Sequence, residues 1–174
     1  MEQSVQEAIR NRRSIREFTD QPVEGDLLHR IITAGIWAPS GLNNQPWRFV
    51  IIRDHEINSK LAALTHYAHI VQAAPALIAV YLDQEKMYDS VKDHQAAGAC
   101  IQNMLLAAHE LDLGAVWLGQ ILKNKSRVNE VLQLSDQYDL MALLAIGYPQ
   151  HRNQQSRRLP LTDFILHEFG GDTP

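Results

Sequence analysis

Leu28, Ile31, Ile32, Gly35 and Ile36 recur at the three- and four-residue spacing of a helical face, and the stripe stops at Ala38-Pro39. The ring of Pro39 disfavours helix for the residue before it, so a helix is predicted to end there and a loop to run from Pro39 to Pro46. A shorter helix is expected over Val5 to Asn11. Phe49 to Ile52, Ala76 to Leu82, Ala115 to Leu118 and Met141 to Ile146 are short apolar runs bounded by turn or polar residues, the pattern of strands buried on both faces of one covered sheet. Between the second and third runs, Ser90 to Leu111 places Ala97, Ile101, Met104, Leu105 and Ala108 on one face and spreads Ala96, Ala99, Cys100 and Ala107 around it. A helix that is apolar nearly all round has to be buried, with a second subunit as one candidate cover. Helices alternating with strands put the chain in the α/β or α+β class.

Length and charge narrow the possibilities. The 174 residues are one domain's worth, with no repeat, low-complexity tract or linker-like stretch to divide them. An apolar fraction of 45% with a net charge of -4 excludes a disordered chain. The acidic balance is the wrong sign for a domain devoted to nucleic acid. The longest apolar run, Ala73 to Leu82, is too short for a membrane span, which needs about 20 residues. Met1-Glu-Gln-Ser lacks a basic segment followed by an apolar one, so a cytoplasmic protein without a removable leader is expected. A single cysteine, Cys100, leaves no internal disulfide or multi-cysteine metal cage within one chain, and its neighbours Ala99 and Ile101 mark it as a buried hydrophobe.

The basic residues are unevenly spread. Arg10, Arg12, Arg13 and Arg16 place four of the 16 within seven positions, just after the first expected helix and with Ser14 among them. Arginine forks suit a phosphate, and a second group, Arg152, Arg157 and Arg158, lies far along the chain. The two groups are either solvated faces or the two halves of one dianion site. The loop Ala38-Pro-Ser-Gly-Leu-Asn-Asn-Gln-Pro-Trp47 carries three amides and a serine, donors and acceptors for the polar edge of a heteroaromatic ring. Together these residues suggest a ligand with a phosphate and a ring.

Four segments carry a resemblance: Arg12-Arg-Ser-Ile-Arg-Glu-Phe18, Ala38-Pro-Ser-Gly-Leu-Asn-Asn-Gln-Pro-Trp-Arg-Phe49, Gly114-Ala-Val-Trp-Leu-Gly119 and Ile146-Gly-Tyr-Pro149. In this order and spacing, over nearly the whole chain, they resemble the motifs of the FMN-dependent nitroreductase family. The resemblance implies one FMN-binding domain over 1–174, of α+β fold, with a central mixed or antiparallel sheet covered by helices. It also implies an intertwined homodimer with two FMN sites at its interface. By position, Arg12, Arg13 and Ser14 would hold the phosphate and ribityl chain, and Arg16 would sit beside flavin N1 and the C2 carbonyl. A fixed cation there favours the negatively charged reduced ring. Pro39, Ser40, Gly41 and Asn43 would come from the second chain to the ring, with Gln45 bracing that loop. The backbone of Leu118, Gly119 and Gln120 would face N5. Arg158, with Arg157 beside it, would reach the phosphate, which would explain the second basic group.

His66 and His69 stand just before Ala74-Pro75, where longer relatives place polar contacts to the flavin rim. His69 is a candidate substrate contact, and no metal site is expected because no third ligand stands out. The implied reaction is transfer of hydride from NADH or NADPH to FMN and of two electrons onward to a nitroaromatic, quinone or similar planar acceptor. The cofactor supplies that chemistry, so no catalytic side chain is assigned. The rival readings are a flavin enzyme of the same fold with non-reductive chemistry (ring oxidation, dehalogenation or flavin consumption) and a non-catalytic FMN carrier or sensor. A nucleic-acid module ranks behind both.

Overall fold

Trp47–Ile52 (β1), Ala76–Asp83 (β2), Gly114–Leu118 (β3) and Tyr138–Gly147 (β4) pair antiparallel in the order β1-β2-β4-β3. Each contains one of the four apolar runs. The computed structural model describes residues 4–170, so Met1 to Gln3, on which the expectation about a leader rests, and the last four positions of the expected 1–174 domain lie outside the described residues. The central pair is long: Ala76 faces Ile146 and Asp83 faces Tyr138, with one irregularity between Val80 and Tyr81.

Strand alternation divides the core in two. Leu77, Ala79 and Tyr81 of β2, with Leu143 and Ala145 of β4, face one side. There they meet His55–Ala62 (α3), Ala68–Ala73 (α4) and Lys125–Leu132 (α6) through Leu61, Ile70 and Val128. Ala76, Ile78 and Val80, with Ala142, Leu144 and Ile146, face Gly25–Ile36 (α2) and Ser90–Glu110 (α5) through Leu28, Ile31, Ile101 and Met104. Both faces of the sheet are therefore covered, which is why β2 and β4 read as continuous apolar runs rather than alternating ones. The α+β class with an antiparallel sheet stands as expected.

Val5–Asn11 (α1) begins at a capping box: the Ser4 hydroxyl accepts from the Glu7 N–H, and the Glu7 carboxylate accepts from the Ser4 N–H at 2.8 Å. No residue of α1 is buried. The long helix α5 buries Ala97, Cys100, Ile101, Met104 and Ala108, while Gly98, Ala99, Leu106 and Ala107 stay only half-buried. Helices α3, α4 and α6 have no counterpart in the periodicity above. They are six to eight residues long, α3 and α6 are mostly polar, and each buries only two or three side chains.

Among the described residues no helix is long and apolar enough to cross a membrane.

Candidate functional site

The chain from Arg12 to Phe18 leaves α1 and runs along the free edge of β3. Ser14 bridges Ala115 in parallel register, the Ile15 N–H donates to the Ala115 carbonyl at 3.1 Å, and Phe18 bridges Pro149. The approach is close enough to require glycine at two places. A Cβ on Gly114 would lie 2.7 Å from Ile15 Cβ, and one on Gly147 would lie 2.7 Å from the Pro75 ring. The Gly-rich ends of β3 and β4 are thus what lets the arginine segment dock on the sheet.

Docking places Arg12 and Arg13 over the C-terminal end of α5. They border a cavity of about 320 Å³ whose other walls include His109, Ala115, Arg152 and Gln154. Arg152 reaches this place because Nη2 donates to the Asp112 carbonyl at 2.6 Å, pinning the C-terminal segment over the turn that follows α5. Arg158 is near enough that its charge acts on Arg12. The Arg12 guanidinium is held below its ordinary pKa, chiefly by burial and then by the charges of Arg13 and Arg158. The two distant arginine groups therefore converge.

Cation gathers here without matching anion. Among the described residues only Arg152 of this group approaches a carboxylate, Asp112 at 3.9 Å. Nε of Arg12, Nε of Arg13 and Nε2 of His109 are buried and bond to nothing. Arg13 spends Nη1 on the carbonyls of Arg10 and Arg12, at 2.6 and 2.8 Å, which fixes its direction. Unpaired buried donors around a cavity are costly unless a ligand satisfies them, and a phosphate dianion has the oxygens to do so.

The same edge of the sheet continues to Leu118, Gly119 and Gln120, where β3 passes into a short 3-10 turn. Gly119 is exposed, and a Cβ built on it would meet nothing within 4 Å. Its backbone is open to a flat ligand. The side chain of Gln120 is committed elsewhere: Oε1 accepts from the Thr65 hydroxyl at 2.8 Å and from the His66 N–H at 2.9 Å. This bond pair ties the Leu64–His66 turn to the end of β3, and Asn124 adds a bond from Nδ2 to the Leu64 carbonyl at 2.8 Å. His66 contributes through its backbone, and His69 lies exposed on α4. A second cavity, about 380 Å³, opens beside Trp117 against Gly98 and Ile101 of α5. It is lined from the same face of β3 as Ala115 of the first.

The loop Pro39 to Pro46 stands at the opposite edge of the sheet, before β1. Leu42, Asn43 and Gln45 all take left-handed backbone angles, with φ of 52°, 55° and 46°. The loop is held from within: the Gln45 N–H donates to Ser40 Oγ at 3.1 Å and Gln45 Nε2 to the Asn43 carbonyl at 3.3 Å. It is anchored from outside by Asn44, whose Nδ2 donates to Asp93 Oδ1 at 2.8 Å and to the Lys86 carbonyl at 3.0 Å. Asp93 is fully buried, and its other oxygen accepts from the N–H groups of Tyr88 and Asp89. Burial alone would raise the Asp93 pKa, but the bonds from Asn44, Asp89 and Tyr88 outweigh it and hold the carboxyl below its ordinary value. Gly41 lies against the Tyr88 ring, so closely that a Cβ would sit 2.1 Å from its hydroxyl oxygen.

In one chain these two regions cannot meet. They flank opposite edge strands, three strand spacings or roughly 14 Å apart. They also pack at opposite ends of α5, near Asp93 and near His109, which are separated by roughly 24 Å of helix.

The sequence singles out the arginines, Arg152 among them, the loop and the β3 end, but not His109, Asn44 or Asp93. His109 was legible as the residue four beyond Leu105 on the same helical face. Asn44 had no signal that distinguished it from Asn43.

The model of the nitroreductase family matches residues 9–69 and 62–148, and the chain belongs to that family. It is 36% identical over 151 residues to a Methanothermobacter thermautotrophicus protein assigned as an NADH dehydrogenase/NAD(P)H nitroreductase, covering 83% of this chain and 77% of that one. Its fold matches, with a TM-score of 0.91 and 51% identity, a crystal structure from Desulfovibrio desulfuricans of a protein assigned as a nitroreductase, in complex with FMN. That match covers 97% of this chain and 98% of the other. It also matches the NADPH:FMN oxidoreductase of Vibrio harveyi in complex with NAD+, with a TM-score of 0.84 and 26% identity, over 97% of this chain and 78% of that one.

Proposed function

We propose that this chain is an FMN-dependent oxidoreductase of the cytoplasm that works as a homodimer, each flavin lying between two copies. Bound FMN would accept hydride from NADH or NADPH and pass two electrons to a nitroaromatic, quinone or similar planar acceptor. Relatives in complex with FMN and with NAD+ support the choice of cofactor and donor.

The residues fit the group. Arg12, Arg13 and Ser14, with Arg157 and Arg158 from the C-terminal segment, would hold the phosphate and ribityl chain. The orphaned Nε atoms of Arg12 and Arg13 are the observation that favours an anion there. Arg16 is exposed, its Nη1 3.5 Å from the Ser14 carbonyl, and is free to extend toward the N1 side of the ring. The backbone of Leu118, Gly119 and Gln120 would offer N–H groups that cannot carry a proton away, on a surface kept open by the missing side chain of Gly119. Gln120 fixes that surface by its bonds to Thr65 and His66. His69 would meet the acceptor from α4.

The observation that carries this reading is the division of the ligand-facing residues between opposite edges of the sheet. A second copy can bring Pro39, Ser40, Gly41 and Asn43 to the arginine edge of the first, with Gln45 bracing the loop. The surface supports such pairing: Trp37, 82% exposed, borders a cleft of about 440 Å³ between α1, α2 and α5, and Leu42 in the loop is 87% exposed. The C-terminal segment leaves Leu166 and Phe169 88% and 93% exposed.

Mixed dimers test the shared site. Arg12→Glu and Gly41→Trp should each inactivate both sites of their own homodimer. In equal coexpression about half of the dimers are mixed, and in each of these one site collects both lesions and the other none, so roughly a quarter of all sites should regain FMN and activity. A separately tagged mixed dimer that is folded yet binds no flavin would count against the shared site.

A further inference from the structure

Among the groups of the 320 Å³ cavity that the proposed phosphate contacts leave unused is the imidazole of His109, in the last turn of α5. Its Nε2 is buried without a hydrogen-bond partner, in a wall shared with Arg12, Arg13 and Arg152. The charged groups that face it from the neighbouring elements are Arg12 and Arg13 from the segment after α1, Arg152 from the C-terminal segment and Asp112 from the turn after α5. Glu110 follows it on its own helix. Three of the four facing charges are cations, and the one anion already lies 3.9 Å from Arg152.

We propose that His109 is a proton-taking member of the phosphate pocket, neutral while the cavity holds only cations and an imidazolium donor once a phosphate monoester dianion lies among Arg12, Arg13 and Arg152. This rests on the reading of the cavity as the FMN phosphate site and adds a residue and a pH dependence to it. In the free protein, burial first and then Arg152, Arg12 and Arg13 hold the His109 pKa below its ordinary value, with Asp112 opposing them. A dianion reverses the sign of the local field. It favours the charged ring and gives the orphaned Nε2 an acceptor, and the C-terminal end of a helix adds a smaller preference for a cation. The proton comes from solvent and goes to the imidazole; no covalent bond changes. Because the bound state holds the proton more tightly than the free state, affinity must rise as pH falls through the range between the two pKa values. It stops rising where the phosphate itself takes its second proton, near pH 6.

The test is a proton count on the intact protein. FMN is titrated by calorimetry in two buffers of different ionisation enthalpy, between about pH 6.5 and about pH 8, where an unperturbed imidazole would already be losing its charge. The expected result is uptake approaching one proton per FMN. The dissociation constant should fall by up to about tenfold per pH unit on acidification. Riboflavin, which lacks the phosphate, should take up none, and glycerol 2-phosphate alone should reproduce the uptake. In His109→Gln the uptake should vanish and the pH profile flatten. If FMN binds without proton uptake, or His109→Gln leaves the uptake intact, the role of His109 is wrong and the FMN reading stands. If glycerol 2-phosphate shows His109-dependent uptake and FMN does not bind, the pocket stands and the FMN reading falls. The wild-type proton count needs no variant, so a His109→Gln protein that failed to fold would still leave absence of uptake decisive.

Discussion

The two polar regions that flank the sheet solve opposite problems. At the β3 edge, Arg12, Arg13, Arg152 and Arg158 are brought together against their mutual repulsion, and three buried nitrogens find no partner among the described residues. At the β1 edge, the loop Pro39 to Pro46 is closed on itself: Ser40, Asn43 and Gln45 bond within it, and Asn44 is clamped to a buried Asp93 that accepts from three donors. The first region is a site in the thermodynamic sense, since its groups are stabilised by what binds. The second is a shaped surface held mainly by bonds of its own, with Asn44 Oδ1 its buried atom left without a partner among the described residues, and it offers form and exposed apolar area, notably Leu42. A difference of this kind separates residues that hold a ligand by charge from residues that wall it in.

Removing the anchor of the self-bonded region should give the largest loss of stability. Asp93→Ala strands the Asn44 amide and the Tyr88 and Asp89 N–H groups in a buried place, and the folded protein should lose about 3 kcal/mol or more in urea unfolding. Asp93 also sets a pH window. Its folded pKa lies below the ordinary 3.8, so the stability it contributes is complete above that value and is lost as pH falls through the folded pKa. Acid unfolding should be shallower in Asp93→Asn than in the wild type.

Arg12→Ala should behave in the contrary way. FMN affinity should drop by about 1.5 to 3 kcal/mol, the contribution of a hydrogen bond to a charged group. The flavin-free protein should be no less stable, because one member of a repelling cluster is gone. Equal flavin content in wild type and variant would remove Arg12 from the site.

Gly41→Ala probes shape alone. Its methyl group would overlap the Tyr88 ring, and the loop should shift at a cost of about 1 to 3 kcal/mol, typical of overpacking. A paired Tyr88→Leu should recover most of it, which double-variant unfolding would measure.

Arg16→Gln should lower the two-electron reduction potential of bound flavin while changing the affinity for oxidised FMN little; about 30 mV corresponds to 1.4 kcal/mol. A potential that stays put in flavin-replete protein would exclude Arg16 from the N1 side.

The smallest effect is expected at Cys100. It is fully buried and its thiol is pushed up to about 12 by burial, so native protein should resist alkylation near pH 8, and Cys100→Ala should keep its turnover.

What the residue order determined by itself was whatever depends on a local period or a fixed backbone angle. The four strands were readable because a strand covered on both faces leaves no room for polar alternation, and α2 because its stripe meets Pro39. The family motifs were readable because glycines such as Gly114 and Gly147 and the arginine run are set by close backbone approach and by charge, both visible as residue types. Helices α3, α4 and α6 were not readable: short helices that bury two or three side chains draw their stability from the sheet they cover rather than from their own pattern. The same holds for the pairing of Asn44 with Asp93, 49 positions on, and of Gln120 with Thr65, 55 positions back. Nothing local distinguishes Asn44 from Asn43, and only chain closure chooses which amide finds the carboxylate. Tertiary structure alone also decided that Arg152 and His109 share a cavity with Arg12, because electrostatic convergence is a property of distances in space, and a 21-residue helix separates what the motifs place in succession.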